Sequence, residues 1–370
     1  MIGRIKELNH LFNLYNNDSF EFLVMYGRRR IGKTTILQEF SEKTNSIFFP
    51  AREKNDALNL EDFSKIIQYH FDKQFYSSFS SWEDAFNYIS SKAHDKVSII
   101  IDEFPYIIEE NPSVKSILQH VIDHSWKQKN IFLILCGSSV SIMENDVMGR
   151  KSPLHDRQTS TLEIKPFDYY ESSGFFPEYN NIDKILAYGI LGGVPRYLEA
   201  FDSSKTIEQN IATRIIQNGS YLYEEPMNLL KAEVRETNIY NSILSAIASG
   251  KNKMIDIANF IHEDRTKVAK YLNTLQILRL IEKRVPCGES ETSKKSIYVI
   301  KDNFFKFWFR YEFTNNVYYS ILGSSEASKE IMKDISNFMG DIFEDICKEY
   351  LIRLARLRKL PFIPYHIGKW

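Results

Sequence analysis

Cysteine is scarce: the 370 residues hold three, Cys136, Cys287 and Cys347. They stand far apart and form no CxxC pair, so they suggest neither a zinc site nor a disulfide framework, and a reducing compartment fits them. An excess of one charge is also missing. Lys and Arg number 47 against 48 Asp and Glu, a formal net charge of -1. That balance gives no global attraction for nucleic acid or an anionic membrane, and leaves only a local basic face open. Long apolar runs are absent too. The start, "MIGRIKELNHLF", lacks a continuous apolar signal core, and no later stretch approaches the ~20 apolar residues that span a bilayer. The expectation is a cytoplasmic chain with no membrane partner. There is no internal repeat and no low-complexity linker, and with 43% hydrophobic and 26% charged residues the chain can bury a core spread over two or three domains.

What is present is an alternation of strands and helices over the first two hundred residues. "FEFLVMYG", "SIFF" at 46–49, "VSIIIDEF" and "IFLILCGSS" are apolar runs. Between them lie stretches such as "LNLEDFSKIIQYHF" and "SVKSILQHVIDHSW", with apolar residues at three- and four-residue intervals. This pattern predicts an α/β fold with a parallel sheet covered on both faces. After about residue 200 the runs become helical, as in "TIEQNIATRIIQN" and "YNSILSAIASG", so a domain change is expected near there. The aromatic cluster "DNFFKFWFRYEF" at 302–313 reads as core or interface.

The stretch "GRRRIGKTT" at 27–35 carries the clearest chemistry. Gly27 at a strand end and Gly32 let the backbone turn its amides inward, while a helix starting near Lys33 aims its positive end at the same point. The spacing matches the complete Walker A pattern, in which Lys33 bridges the β- and γ-phosphates and the Thr34 hydroxyl coordinates Mg2+. Gly27, Arg28, Arg29, Arg30, Ile31, Gly32, Lys33, Thr34 and Thr35 are thus the candidate ATP/ADP-binding loop. The three arginines either add positive potential or form a solvated loop face. At the tip of "VSIIIDEF", Asp102 is the candidate metal-side carboxylate and Glu103 the candidate general base for hydrolysis. Ser138 and Ser139, ending the next strand, either sense the γ-phosphate or cap a turn.

The order "IGRIKEL", "GRRRIGKTT", "IIIDEF", "LILCGSS", "SPLHDRQTSTLEIKPFDYYES" and "LGGVPRYL" resembles the archaeal-type ATPases of the STAND class, relatives of AAA+ proteins and of origin-recognition initiators. The resemblance spans nearly the whole chain and implies a P-loop sheet of the ASCE/AAA+ kind. It further implies that Gly3 and Arg4, with Glu7 and Leu8, lie against the nucleotide base. The Gly-x-Pro element, Gly193 to Pro195, would lie near the nucleotide and join the core to its lid. Where the family often has Gly-Arg, this chain has Asp156-Arg157. Arg157 is implied to reach the γ-phosphate; without the family it reads as a surface ion pair.

Downstream, "YNSILSAIASGKNKMIDIANFIHEDRTKVAKYLNTLQILRLIEKRVPC" and "KSIYVI" give three short helices and a strand pair, a winged-helix pattern. Its recognition helix would run from about Arg265 to Leu275, with Arg265, Lys267 and Lys270 available for phosphates. From 239 to 300, ten Lys and Arg face six Asp and Glu, which leaves DNA contact and a purely internal switch role both open. The segment from "NFMGDIFEDICKEYLIRLARLRKL" onward resembles the opening of a PD-(D/E)XK nuclease-like domain, with Glu344 as its first acidic residue. The rest of that metal site would follow Trp370, so this chain is not expected to cut DNA. The organisation read from the sequence is an ATPase domain at 1–200, a helical lid or linker at 201–238, a winged helix at 239–313 and a partial α/β segment at 314–370. The function read from it is an ATP-hydrolysing switch, with self-association or a protein partner open. The alternatives are a DNA-binding regulator using ATP structurally and a nuclease-linked ATPase of mobile elements or defence.

Overall fold

A computed structural model describes residues 2–286, 290, 293, 295–365 and 367; Cys287 and Trp370, which entered the sequence reading, lie outside them. The chain divides into two compact units, with the boundary between Lys165 and Pro166.

The first unit is built on a parallel sheet of β1 (Glu21–Tyr26), β2 (Ser46–Pro50), β3 (Val97–Asp102), β4 (Ile131–Gly137) and β5 (Ser160–Glu163), in the order β2-β3-β4-β1-β5. Every residue of β1, β3 and β4 is buried. That is why these strands read as unbroken apolar runs rather than alternating ones. On one face, Phe49, Phe63, Trp82 and Phe86 pack with ring centroids 5.2–6.4 Å apart. The helices Asp56–Asp72 and Trp82–Lys92 bring three of these rings, each helix opened by a side chain that accepts from a first-turn amide, Asn55 and Ser81.

Register decides which residues meet at the end of the sheet. Tyr26 pairs with Gly137 and Ile101 with Leu135, so Gly27, Asp102 and Ser138 emerge at the same edge. In an all-parallel sheet that carboxyl edge is where ligands sit. The insertion of β4 between β1 and β3 opens the crevice there.

The second unit, from Pro166 onward, is mainly helical. Helices Thr237–Ala248, Met254–Ile261 and Arg265–Ile277 are followed by the antiparallel pair β6 (Ile281–Arg284) and β7 (Ile297–Ile300). The aromatic cluster forms the helix Asn303–Leu322, where Phe304, Phe305, Phe307, Trp308, Phe309 and Tyr311 are all buried, so its role is core. The segment expected to begin an α/β unit is, among the described residues, the single helix Ser324–Arg356, with Glu344 exposed.

Gly193 makes a local test of this unit's packing. The amide of Phe167 donates to its carbonyl at 2.8 Å, and a Cβ on Gly193 would stand 1.9 Å from the Phe167 carbonyl oxygen. Backbone cannot yield as a flexible side chain would, so Gly193→Ala costs at least about 1–3 kcal/mol. Calorimetry should record the second unit melting roughly 5 °C lower; an unchanged midpoint would show that the close approach is not required.

Candidate nucleotide site

The loop between β1 and the helix Lys33–Ser41 has the backbone that a phosphate cradle needs. Arg30 and Gly32 have φ of 69° and 90°, and Gly27 has φ of 155°. A Cβ at Gly27 would lie 2.4 Å from the carbonyl oxygen of Ile164, which leaves no room for another residue. Lys33, buried to 5% exposure, donates from Nζ to the carbonyl oxygens of Gly27 at 2.8 Å and Arg28 at 3.0 Å. Its ammonium therefore closes the loop on itself. Arg28 is buried and Arg30 exposed, so the three arginines divide between wall and solvated face. Thr34 and Thr35 lie exposed on the first turn of the helix Lys33–Ser41.

Arg4 supports this loop in a way the sequence did not announce. Its Nη2 donates to the Ile31 carbonyl at 3.0 Å and its Nη1 pairs with Glu7 at 3.1 Å, with Arg4 only 3% exposed. A buried charge of this kind needs partners, and Arg4 finds one of them on the loop. Gly3, beside it, has φ of 64°, a left-handed turn into the helix Ile5–Tyr15.

The acidic pair meets the loop from β3. Thr34 Oγ1 donates to Asp102 Oδ2 at 2.7 Å, and the Glu103 amide donates to Asp102 Oδ1 at 3.1 Å. Glu103 has φ of 54°, uncommon for a residue with a Cβ and a kind of strain that clusters at functional sites. Its Oε2 accepts from both the Ser138 amide, at 3.0 Å, and the Ser138 hydroxyl, at 2.8 Å. Sequence spacing placed Ser138 on a neighbouring strand; the clasp on Glu103 is supplied by sheet register. Cys136 lies on the same sheet face as Asp102, fully buried, and burial followed by the Asp102 charge pushes its thiol well up.

The donor set suits a hard cation. Among the described residues no group of three or more His, Cys, Asp or Glu could hold a metal by itself. One hydroxyl beside one carboxylate is instead the arrangement that binds Mg2+ together with substrate phosphates.

Arg157 takes the ion-pair alternative. Its Nε and Nη2 both donate to Asp123 Oδ2, at 3.0 and 2.8 Å, and its Nη1 donates to the His155 carbonyl at 3.1 Å. The structure thus commits the guanidinium to Asp123 and does not bring it to Lys33. Asp156 has φ of 61°, so the turn for which the family often uses glycine is kept here, by a residue type that tolerates that conformation. Pro195 opens the short helix Pro195–Leu198 in the second unit, as suits a residue with no amide to donate.

Comparison with known proteins agrees with this geometry. A model of the ATPase domain predominantly from Archaea matches residues 1–201, and one of archaeal and bacterial proteins of unknown function matches residues 308–370. An uncharacterized protein of Methanocaldococcus jannaschii is 35% identical over 373 residues, covering 100% of this chain and 81% of its own length. Among solved structures, a Walker-type ATPase of Pyrococcus abyssi superposes with a TM-score of 0.65 at 19% identity, covering 84% of this chain and 96% of that one. The ORC2 protein of Aeropyrum pernix, in its ADPNP–ADP complexes, gives 0.54 at 12% identity, covering 87% and 96%. Among the described residues no helix is long and apolar enough to cross a membrane. The fold, the loop and the family match over more than half its length together place the chain in the family of the ATPase domain predominantly from Archaea.

Proposed function

We propose that the chain is an ATP-binding and slowly ATP-hydrolysing switch of the STAND type, in which nucleotide state is coupled to a winged-helix module. The observation that carries this reading is the convergence of Lys33, Thr34, Asp102 and Glu103 at one edge of the sheet. Lys33 exchanges its two loop carbonyls for β- and γ-phosphate oxygens. Thr34 and Asp102 would hold Mg2+, which when bound neutralises charge on the phosphate oxygens. Glu103 takes the proton of the attacking water, and Ser138, which now clasps it, is the residue to read the γ-phosphate. Arg4 braces the loop at Ile31 and, with Gly3, borders the base.

The coupling half of the proposal assigns 201–238 to a lid or linker, 239–313 to the winged helix and 314–370 to a segment like the start of a nuclease-like domain. Its support is the three helices followed by an antiparallel strand pair, together with Arg265, Lys267 and Lys270 exposed on the third helix. Lys267 is partly engaged by Glu263 at 3.0 Å, so any DNA contact there rests mainly on the other two.

Lys33→Ala tests the nucleotide half. It removes charge-assisted bonds worth roughly 1.5–3 kcal/mol each, so ATP affinity measured by calorimetry should fall at least about tenfold. Equal affinity in the variant would sink the assignment.

A further inference from the structure

The second unit carries a hollow of about 620 Å³ walled by the helix Pro195–Leu198 and its continuation, Lys205, and the segment from Thr213 to Leu222. Three cations line it, Arg196, Lys205 and Arg214, against one carboxylate, Glu199. The lining therefore carries a net charge of about +2. None of the three cations is strongly neutralised. Arg196 stands 3.6 Å from Glu199 with both side chains more than half exposed, and Lys205 is 3.9 Å from Asp202. Such exposed pairs contribute little. Among the described residues no carboxylate stands within 4 Å of Arg214, whose charge reaches Asp202 only at longer range.

The wall holding Arg214 is not an ordinary helix. Residues Ile211–Ile216 form a π-helical turn, closed by the Gln217 amide donating to the Ala212 carbonyl five residues back at 3.0 Å. Such turns are rare and recur at functional sites. Here the wide turn keeps Ile211, Ala212, Ile215 and Ile216 buried while Thr213 and Arg214 face outward. The rim is pinned in place: Ser220 Oγ donates to the Arg214 carbonyl at 2.8 Å, and Thr213 Oγ1 donates to the Gln209 carbonyl at 2.8 Å. Across the hollow, the Arg196 guanidinium lies 4.9 Å over the Tyr221 ring, which fixes its plane without consuming its donors.

We propose that this hollow is a second ligand site, which takes a small anion bearing two or more phosphate groups. The charge decides the class, because a net +2 lining leaves a monoanion with cations unanswered and gives an apolar ligand nothing to displace. The size decides between small and large, because a volume of this order holds a nucleotide-sized molecule. A nucleoside polyphosphate and an inorganic polyphosphate share this chemistry. The site does not depend on the phosphate loop for its argument.

The test therefore uses full-length protein carrying Lys33→Ala, so that the loop is weakened, and titrates it with inorganic tripolyphosphate by calorimetry. Binding is expected, and adding Arg214→Glu should weaken it at least about tenfold, since a charge-assisted contact is replaced by repulsion. Arg214 is exposed, so the fold is not at stake in this variant. ADP binding as tightly as tripolyphosphate or more, and with the same sensitivity to Arg214→Glu, supports the site and identifies a nucleoside polyphosphate. Tripolyphosphate binding unchanged by Arg214→Glu overturns the proposal. So does adenosine binding as well as ADP, or a single-stranded oligonucleotide binding where tripolyphosphate does not.

Discussion

Glu103→Gln should slow ATP hydrolysis by about 10² to 10⁴, the usual contribution of a positioned base, while leaving ATP affinity near the wild-type value. The two effects separate because Glu103 touches neither the Lys33 ammonium nor the Thr34 hydroxyl, which bond to loop carbonyls and to Asp102. Glutamine keeps a carbonyl oxygen for the Ser138 amide and hydroxyl, so the local structure survives and only the proton acceptor is lost. The left-handed backbone at Glu103 is indifferent to the exchange, since both side chains have the same shape. Single-turnover and steady-state hydrolysis, measured beside nucleotide titration, read the two quantities independently. Turnover at the wild-type rate would remove Glu103 from the reaction. It would favour a chain that uses ATP as a structural ligand, because a regulator of that kind has no need of a base.

The central strands were legible in the sequence because burial on both faces demands continuous apolar residues, as in "LVMY", "SIII" and "FLILC". The fifth strand was not. Ser160–Glu163 lies at the sheet edge with no fully buried residue, so it carries no apolar run and only Thr161, which is β-branched, hints at it. The site divides in the same way. The loop, Lys33, Thr34 and Asp102 are local in sequence or sit at strand tips, and spacing finds them. The Ser138–Glu103 clasp and the Arg4 bond to Ile31 depend on strand register and on a helix returning to the loop, which no local pattern encodes. Arg157 shows the converse. Its pairing with Asp123, 34 residues away, was available only as the alternative that needed no family knowledge.

The largest pH-dependent stability effect is expected at a residue that the aromatic run concealed. In "FKFWFRYEF" the one carboxylate, Glu312, falls four residues after Trp308 and three after Phe309, on the buried side of the helix Asn303–Leu322. It is 2% exposed, and its Oε2 has no hydrogen-bond partner. Burial alone pushes its carboxyl up from the ordinary value of 4.5 to about 7; Tyr223 and Tyr319 are the titratable groups that feel its charge. The folded state therefore holds a proton that the unfolded chain has already released. Stability is fully present below about pH 4.5 and is lost as pH rises through about 7. The loss amounts to on the order of 3 kcal/mol at most, from the size of that shift. Glu312→Gln replaces the protonated form with a neutral side chain of the same shape. It should flatten this part of the pH profile and leave the variant more stable than wild type at pH 8, where chemical denaturation monitored by tryptophan fluorescence can measure it. A variant whose stability falls between pH 5 and pH 8 as steeply as that of the wild type would show that the carboxyl is ionised in the fold and that its charge is met by water.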